Sequence, residues 1–172
     1  LIFGPLASAS SVLSKNQKEL GVALVDIGAT TTSLCVYEEN KLVHVAVFPV
    51  GSGHVTNDLA IGLKTSIESA EAVKISFGHA ISKNTSGRDL VELSKIDPQA
   101  RNAVSRRFIA EIIEVRLVEI LEWVNNELKQ IGKAGKLPAG AILIGGGAKI
   151  PGLIELTKQE LRLPVKVGVP DL

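Results

Sequence analysis

The run Gly21–Ile27, GVALVDI, constrains this chain more than any other segment. It is apolar apart from one acid, Asp26, which stands two residues before Gly28. A strand that is apolar on both sides must be covered on both sides, so it belongs inside a sheet with flanking helices. Two further strand-like segments follow, Thr32–Tyr37 and Leu42–Val50, across the short gaps Gly28–Thr31 and Glu38–Lys41. Gaps of this length suit hairpins, so three consecutive antiparallel strands are expected. Pro49 and Gly51-Ser52-Gly53 end this meander.

Helical periodicity takes over next. Val55, Leu59 and Leu63 are spaced for one face of a helix over His54–Leu63. Thr65 and Glu68 fit a capping box that opens a second helix, which runs to Phe77 and stops at Gly78. From His79 to Ala100 the chain turns polar, and only Leu90–Leu93 reads as a short strand. Ser105–Ile131 carries the clearest apolar stripe, including Phe108, Ile112, Leu117, Leu121, Val124 and Leu128. At 1.5 Å per residue this helix would be about 40 Å long, enough to join two subdomains. A buried strand Ala141–Ile144, three glycines, a helix opened by Pro151 and ending near Leu161, and a last strand Val165–Val169 complete the pattern.

Composition narrows the function classes. Nineteen basic and eighteen acidic residues leave a net charge of +1, which argues against a dedicated nucleic-acid binder. Arg101, Arg106, Arg107 and Arg116 form a modest basic patch, expected to be solvated or partner-facing. The lone Cys35 can form no internal disulfide, and a reduced, buried thiol in a cytosolic protein is the expectation. The three histidines lack metal-ligand spacing. No apolar stretch approaches the roughly 18 to 20 residues that span a bilayer. With no methionine in its 172 residues, the chain is expected to be a piece of a longer protein.

Three motifs carry chemistry. In Asp26-Ile27-Gly28-Ala29-Thr30-Thr31-Thr32 a strand delivers a carboxylate to its tip, and a turn with three hydroxyls and a row of backbone N–H groups follows. Such a turn can hold a phosphate, with the carboxylate reaching Mg²⁺ through water. An ordinary hairpin with an acid at its shoulder has the same sequence. Gly145-Gly146-Gly147 lets backbone approach a flat ligand, because no Cβ intervenes, or it is a plain strand-to-helix connection. Glu71 and Lys74 share one helix face and could bracket a ribose, or form an exposed ion pair. No nucleophile–base pattern is present, and no catalytic residue is assigned.

The order of these parts resembles the C-terminal lobe of the actin/hexokinase/chaperone ATPase superfamily. Within it the chain is similar to the FtsA family of bacterial cell-division proteins. The resembling stretches are Pro5–Ala9, ELGVALVDIG (Glu19–Gly28), VGSGHVTNDLAIGLKT (Val50–Thr65), Glu71–Lys74, RRFIAEIIEVR (Arg106–Arg116) and LPAGAILIGGGAKIPG (Leu137–Gly152). The resemblance implies an α/β, actin-like (ribonuclease H-like) ATPase lobe. Its central mixed sheet would carry the three-stranded antiparallel meander and flanking helices, with a small α+β insert. Subdomain IIA would span 1–63 and 114–172, and the partner-binding subdomain IIB would span 64–113.

It further implies ATP with Mg²⁺ as cofactors. Asp26, Gly28, Thr30, Thr31 and Thr32 would form the second phosphate loop, Glu71 and Lys74 would face the ribose, and Gly145, Gly146 and Gly147 the adenosine. Asp26 would reach the metal through water. The implied role is a filament-forming adaptor that links the FtsZ ring to the cytoplasmic membrane at the septum. Its partners would be the FtsZ C-terminal tail, copies of itself and other division proteins, with no nucleic acid. Membrane contact would come through a C-terminal helix beyond this chain. The alternative is the related type IV pilus assembly protein PilM, which binds a partner peptide, and a sugar or acid kinase is a distant third. The family usually reads Asp-x-Gly-Gly-Gly-Thr-Thr, whereas Ala29 and Thr30 stand here. Their Cβ atoms are expected to resist positive φ and to crowd a γ-phosphate, leaving weak or no ATPase activity.

Overall fold

A computed structural model describes residues 3–170. The outermost residues of the expected subdomain IIA, 1–2 and 171–172, lie outside the described residues. Two helices open the fold, α1 (Gly4–Val12) and α2 (Lys15–Leu20). Neither was expected from periodicity, because α1 is a short GPLASASSV segment with few large apolar residues. Pro5 in its first turn and a reciprocal Ser14–Gln17 capping box at α2 supply the local signals. The meander follows as expected, with β1 (Val22–Ile27), β2 (Thr32–Glu38) and β3 (Lys41–Phe48).

Then come α3 (Ser52–Leu63), α4 (Ile67–Phe77), a short strand β4 (Leu90–Glu92), its antiparallel partner β5 (Ala103–Ser105) and the long α5 (Arg106–Gln130). Three residues without apolar alternation gave β5 no period to read. The cap of α4 differs from the expectation by one residue. Ser66 Oγ accepts the Ser69 N–H at 3.1 Å, while the Thr65 hydroxyl turns to the Ser66 carbonyl, so Thr65 and Glu68 form no box. The chain ends with β6 (Ala141–Ile144), a 3-10 turn at Gly146–Lys149, α6 (Leu153–Leu161) and β7 (Val165–Val167).

The five main strands form one mixed sheet ordered β3-β2-β1-β6-β7. β1 pairs antiparallel with β2 and parallel with β6, placing Asp26 beside Ile144. Both faces are covered, which explains the unbroken apolar run in β1. Ala23, Val25, Ile27, Leu34 and Val36 pack against α3, α5 and α6, while Val22, Leu24, Cys35 and Ile142 pack beneath α1. The first of these cores is continuous. It runs from the sheet along α5 to Ala80, Ile81, Val91 and Leu93 in the region around β4 and β5. Cys35 is fully buried, and burial first, then the nearby Asp26 charge, pushes its thiol pKa up.

His44 on β3 meets Glu127 on α5 at 2.7 Å, and Phe48 meets Trp123 edge to face at 5.5 Å. These contacts hold the edge strand on the long helix. Among the described residues no helix is long and apolar enough to cross a membrane. Leu117 lies at the middle of α5 with no exposure. Leu117→Ala should lower the free energy of unfolding by about 2–5 kcal/mol, measured by urea titration.

Candidate functional site

β1 and β6 run parallel, so both deliver their C-terminal ends, and the turns that follow, to one side of the sheet. That is where open α/β sheets hold ligands. Asp26 sits at the tip of β1 and Gly145 follows the tip of β6. The two touch so closely that a Cβ on Gly145 would lie 2.5 Å from Asp26 Oδ1 and 2.5 Å from the Ile27 carbonyl oxygen. Gly145 also has φ +89°, a region L side chains rarely adopt. Gly147 approaches β1 as well, and its Cβ would meet Ile27 Cγ2 at 2.4 Å. Gly146 faces open space. The three glycines thus divide: two let β6 and its turn close on β1, and one bares backbone to a cleft.

Asp26 is half-buried and makes no salt bridge among the described residues; burial raises its pKa above the ordinary 3.8. The turn after it is tied by backbone. Gly28 N–H donates to the Thr31 carbonyl at 2.9 Å, Ser52 N–H to the Gly28 carbonyl at 2.8 Å, and Gly53 N–H to the Ala29 carbonyl at 2.8 Å. The start of α3 therefore grips the turn. Gly51 and Gly53 are required for that grip, since a Cβ at Gly51 would fall 2.3 Å from the Gly28 carbonyl oxygen and one at Gly53 2.7 Å from that of Ala29.

Neither Ala29 nor Thr30 has positive φ, so the expected backbone conflict at these positions does not arise. Ala29, Thr30 and Thr31 are exposed on the turn. Thr32 is not available to a ligand: it is fully buried, with its hydroxyl donating to the Val50 carbonyl at 2.8 Å.

Glu71 and Lys74 are no simple surface pair. The Lys74 side chain is only 9% exposed, and its ammonium lies 2.8 Å from Glu71, 2.9 Å from Thr56 Oγ1 and 3.3 Å from the Ser52 carbonyl. Thr56 Oγ1 also bonds Glu71. Partial burial alone would raise the Glu71 pKa, but hydrogen bonds from Lys74 and Thr56, with the Lys74 charge, hold it below the ordinary carboxylate value.

Three neighbouring clefts gather these groups. Glu71, Lys74, Gly146 and Gly147 line one of about 370 Å³, with Ile75, Ile150 and Pro151 as its apolar wall. Asp26, Gly145 and Gly146 border a second of about 500 Å³, and Thr30, Thr56 and Glu71 a third. Sequence reasoning missed Ser52, Thr56 and Lys149. Ser52 and Thr56 stand four apart, one turn of α3, which a helix assigned from Ser52 rather than His54 would have revealed. Arg116, expected in a basic surface patch, turns inward to Asp58 of α3 instead.

The donor set suits a small anionic ligand with a flat apolar portion. The bare Gly146 backbone and the Ile75–Ile150–Pro151 wall can cover a ring, and the Glu71 carboxylate, held in place by Lys74, can accept from hydroxyls. Asp26 offers a single carboxylate, and no cluster of three or more metal-ligating side chains exists among the described residues. A divalent cation here would keep most of its water.

The sequence profile described as "Cell division protein FtsA" matches residues 23–172. The chain belongs to the FtsA family. It is 38% identical to the cell division protein FtsA of Pseudomonas aeruginosa over 99% of its own length and 41% of that protein's. The chain thus spans about two fifths of its curated relatives. The fold is actin-like: MreB5 of Spiroplasma citri, in a structure bound to ADP, superposes with a TM-score of 0.77 at 18% identity, over 96% of this chain and 54% of that one. The PilM–PilN type IV pilus biogenesis complex is similar in fold alone, with a TM-score of 0.63 at 21% identity over 95% of this chain and 38% of that one. FtsA membership therefore displaces the PilM alternative.

Two substitutions separate fold from ligand. Gly145→Ala should destabilise the chain by roughly 2 kcal/mol or more, through strained φ and the clash with Asp26. Gly146→Ala should leave the thermal midpoint within about 2 °C, since it meets open space. Differential scanning calorimetry distinguishes the two. For Asp26 the sign is opposite to the usual acid. Its folded pKa is raised, so the folded state holds the proton more tightly and stability falls as pH rises through the window above 3.8. Asp26→Asn should therefore unfold no earlier than wild type at pH 7 and flatten stability against pH in that window, read by thermal melts from pH 4 to 7.

Proposed function

We propose that this chain is one lobe of an actin-like cell-division protein that binds ATP as a structural ligand. One observation carries this reading: Asp26, the Gly28–Thr31 turn, the Glu71–Lys74 pair and the Gly145–Gly147 turn, far apart in sequence, open onto adjoining clefts at one end of the sheet. Family membership and the ADP-bound MreB5 relative support it. The adenine would lie on the bare Gly146 backbone and the ribose against Glu71, whose carboxylate Lys74 holds in place. The phosphates would meet the turn N–H groups and the hydroxyls of Thr30 and Thr31. Mg²⁺ would supply charge neutralisation between phosphates, with Asp26 holding its water. Thr32 braces the turn through Val50 and leaves ligand contact to its neighbours.

Among the described residues of this lobe no side chain is assigned to activate a water, and the reading is of weak or absent hydrolysis. In the whole protein the second lobe would close the cleft. The work of the molecule is then assembly: self-association into filaments, capture of the FtsZ C-terminal tail on residues 64–113, and attachment to the cytoplasmic face of the membrane at the septum through a C-terminal helix.

Calorimetry on the full-length protein tests the nucleotide half of this reading. ATP should bind with Mg²⁺, and Lys74→Ala should weaken binding at least about ten-fold, as expected when a charged hydrogen-bonding partner is lost. The 172-residue chain alone should bind far more weakly, because it holds only one side of the cleft. Micromolar affinity for the isolated chain would overturn that. In a parallel pull-down, an FtsZ tail peptide should be retained and the N-terminal peptide of the PilM partner should not.

A further inference from the structure

Arg116 lies outside all three clefts, yet its geometry bears on each of them. Its Nε donates to Asp58 Oδ2 at 2.7 Å and one terminal nitrogen to Oδ1 at 3.0 Å, a two-pronged bond from α5 to α3. The other terminal nitrogen meets Glu119 at 2.8 Å, which fixes the guanidinium plane on α5. About three quarters of the Arg116 and Asp58 side chains are shielded from solvent, with 26% and 28% exposed. One turn further along α3, a Cβ on Gly62 would lie 2.6 Å from Ile112 Cδ1, one turn earlier on α5. The two helices therefore run antiparallel, pressed together at Gly62 and locked at Asp58.

What α3 carries at its other end gives the lock its meaning. Ser52 and Gly53 donate their N–H groups directly to the Gly28 and Ala29 carbonyls of the phosphate turn. Thr56, on the same helix, bonds both Glu71 and Lys74. The contact of α3 with the turn is made chiefly by these two main-chain bonds at 2.8 Å, with the Ser52 hydroxyl adding a third bond to the Gly28 carbonyl at 3.2 Å, so a shift of the helix is passed to the turn. At 1.5 Å per residue α3 is a rod of about 18 Å with the turn at one end and the lock partway along.

The apolar residues Val55, Leu59 and Leu63 hold α3 against the core. Apolar burial is non-directional and tolerates sliding, whereas a planar fork on a carboxylate sets one register. Lysine cannot replace it, because a single ammonium bridges without fixing orientation.

We propose that Arg116 is a positioning residue: through Asp58 it fixes the register of α3 on α5, and so sets the phosphate turn and the Glu71–Lys74 pair for nucleotide. This inference rests on the nucleotide reading above for its functional arm only.

The test uses the full-length protein with Arg116→Lys, Asp58→Asn and the double variant. Lys133→Ala, which breaks the pair with Glu38 outside the three clefts and outside residues 64–113, serves as a control. Two quantities are read: ATP affinity by calorimetry, and hydrogen exchange of the Ser52 and Gly53 amides without nucleotide. Each single variant should keep the wild-type circular dichroism, weaken ATP by about ten-fold, within the 5- to 150-fold usual for coupled sites, and speed exchange at both amides. The double variant should be no worse than either single, because the two groups act as one. The control should change neither quantity.

Unchanged amide exchange in both single variants, or losses that add in the double, would overturn the proposal. If the wild-type protein binds no ATP, the nucleotide reading fails on its own account. The exchange rates still decide whether Arg116 positions the turn.

Discussion

The parallel pairing of β1 with β6 is the constraint on which the rest depends. It sets Asp26 beside Ile144, so that two turns distant in sequence emerge side by side. Without that register the acid and the glycines would be unrelated loop features. The pairing is possible only because Gly145 and Gly147 lack side chains where they meet Asp26 and Ile27. Close strand packing and ligand access thus make different use of adjacent glycines: Gly147 is buried against β1, Gly145 touches Asp26 while bordering a cleft, and Gly146 meets open space.

A second layer of organisation comes from α3. Its first turn grips the Gly28–Thr31 turn through main-chain bonds, and Thr56 gathers the ion pair on α4. The Gly28–Thr31 turn is therefore tied to a helix rather than left free. Binding groups placed this way lose little freedom when a ligand arrives.

Much of this was legible in the sequence, and the exceptions have physical causes. The doubly covered strand β1, the meander and the stripe of α5 announced themselves through uninterrupted or strictly periodic apolar residues. The helices α1 and α2 did not, because small and polar residues give no moment to read; their caps were the only signal. Thr32 looked like a ligand for the same reason as Thr30 and Thr31, since a hydroxyl's direction is not written in a motif. Strand β2 begins at Thr32, and alternation there turns it to the interior. Lys74 looked like half of a surface pair. Only the packing of α3 against α4 shows that its ammonium is shielded and shared among three acceptors. Arg116 was counted by its charge, whereas its partner lies fifty-eight residues away on another helix.

Cys35 has a practical consequence. It is the sole thiol, it is sealed beneath α1, and burial together with the Asp26 charge disfavours its reactive anion. The native fold therefore behaves as though it had no cysteine. Spin labels or fluorophores can be attached at introduced cysteines anywhere on this lobe with little background. The one native thiol becomes a built-in clock for opening of this face, because an alkylating reagent reaches it only when α1 lifts from the sheet.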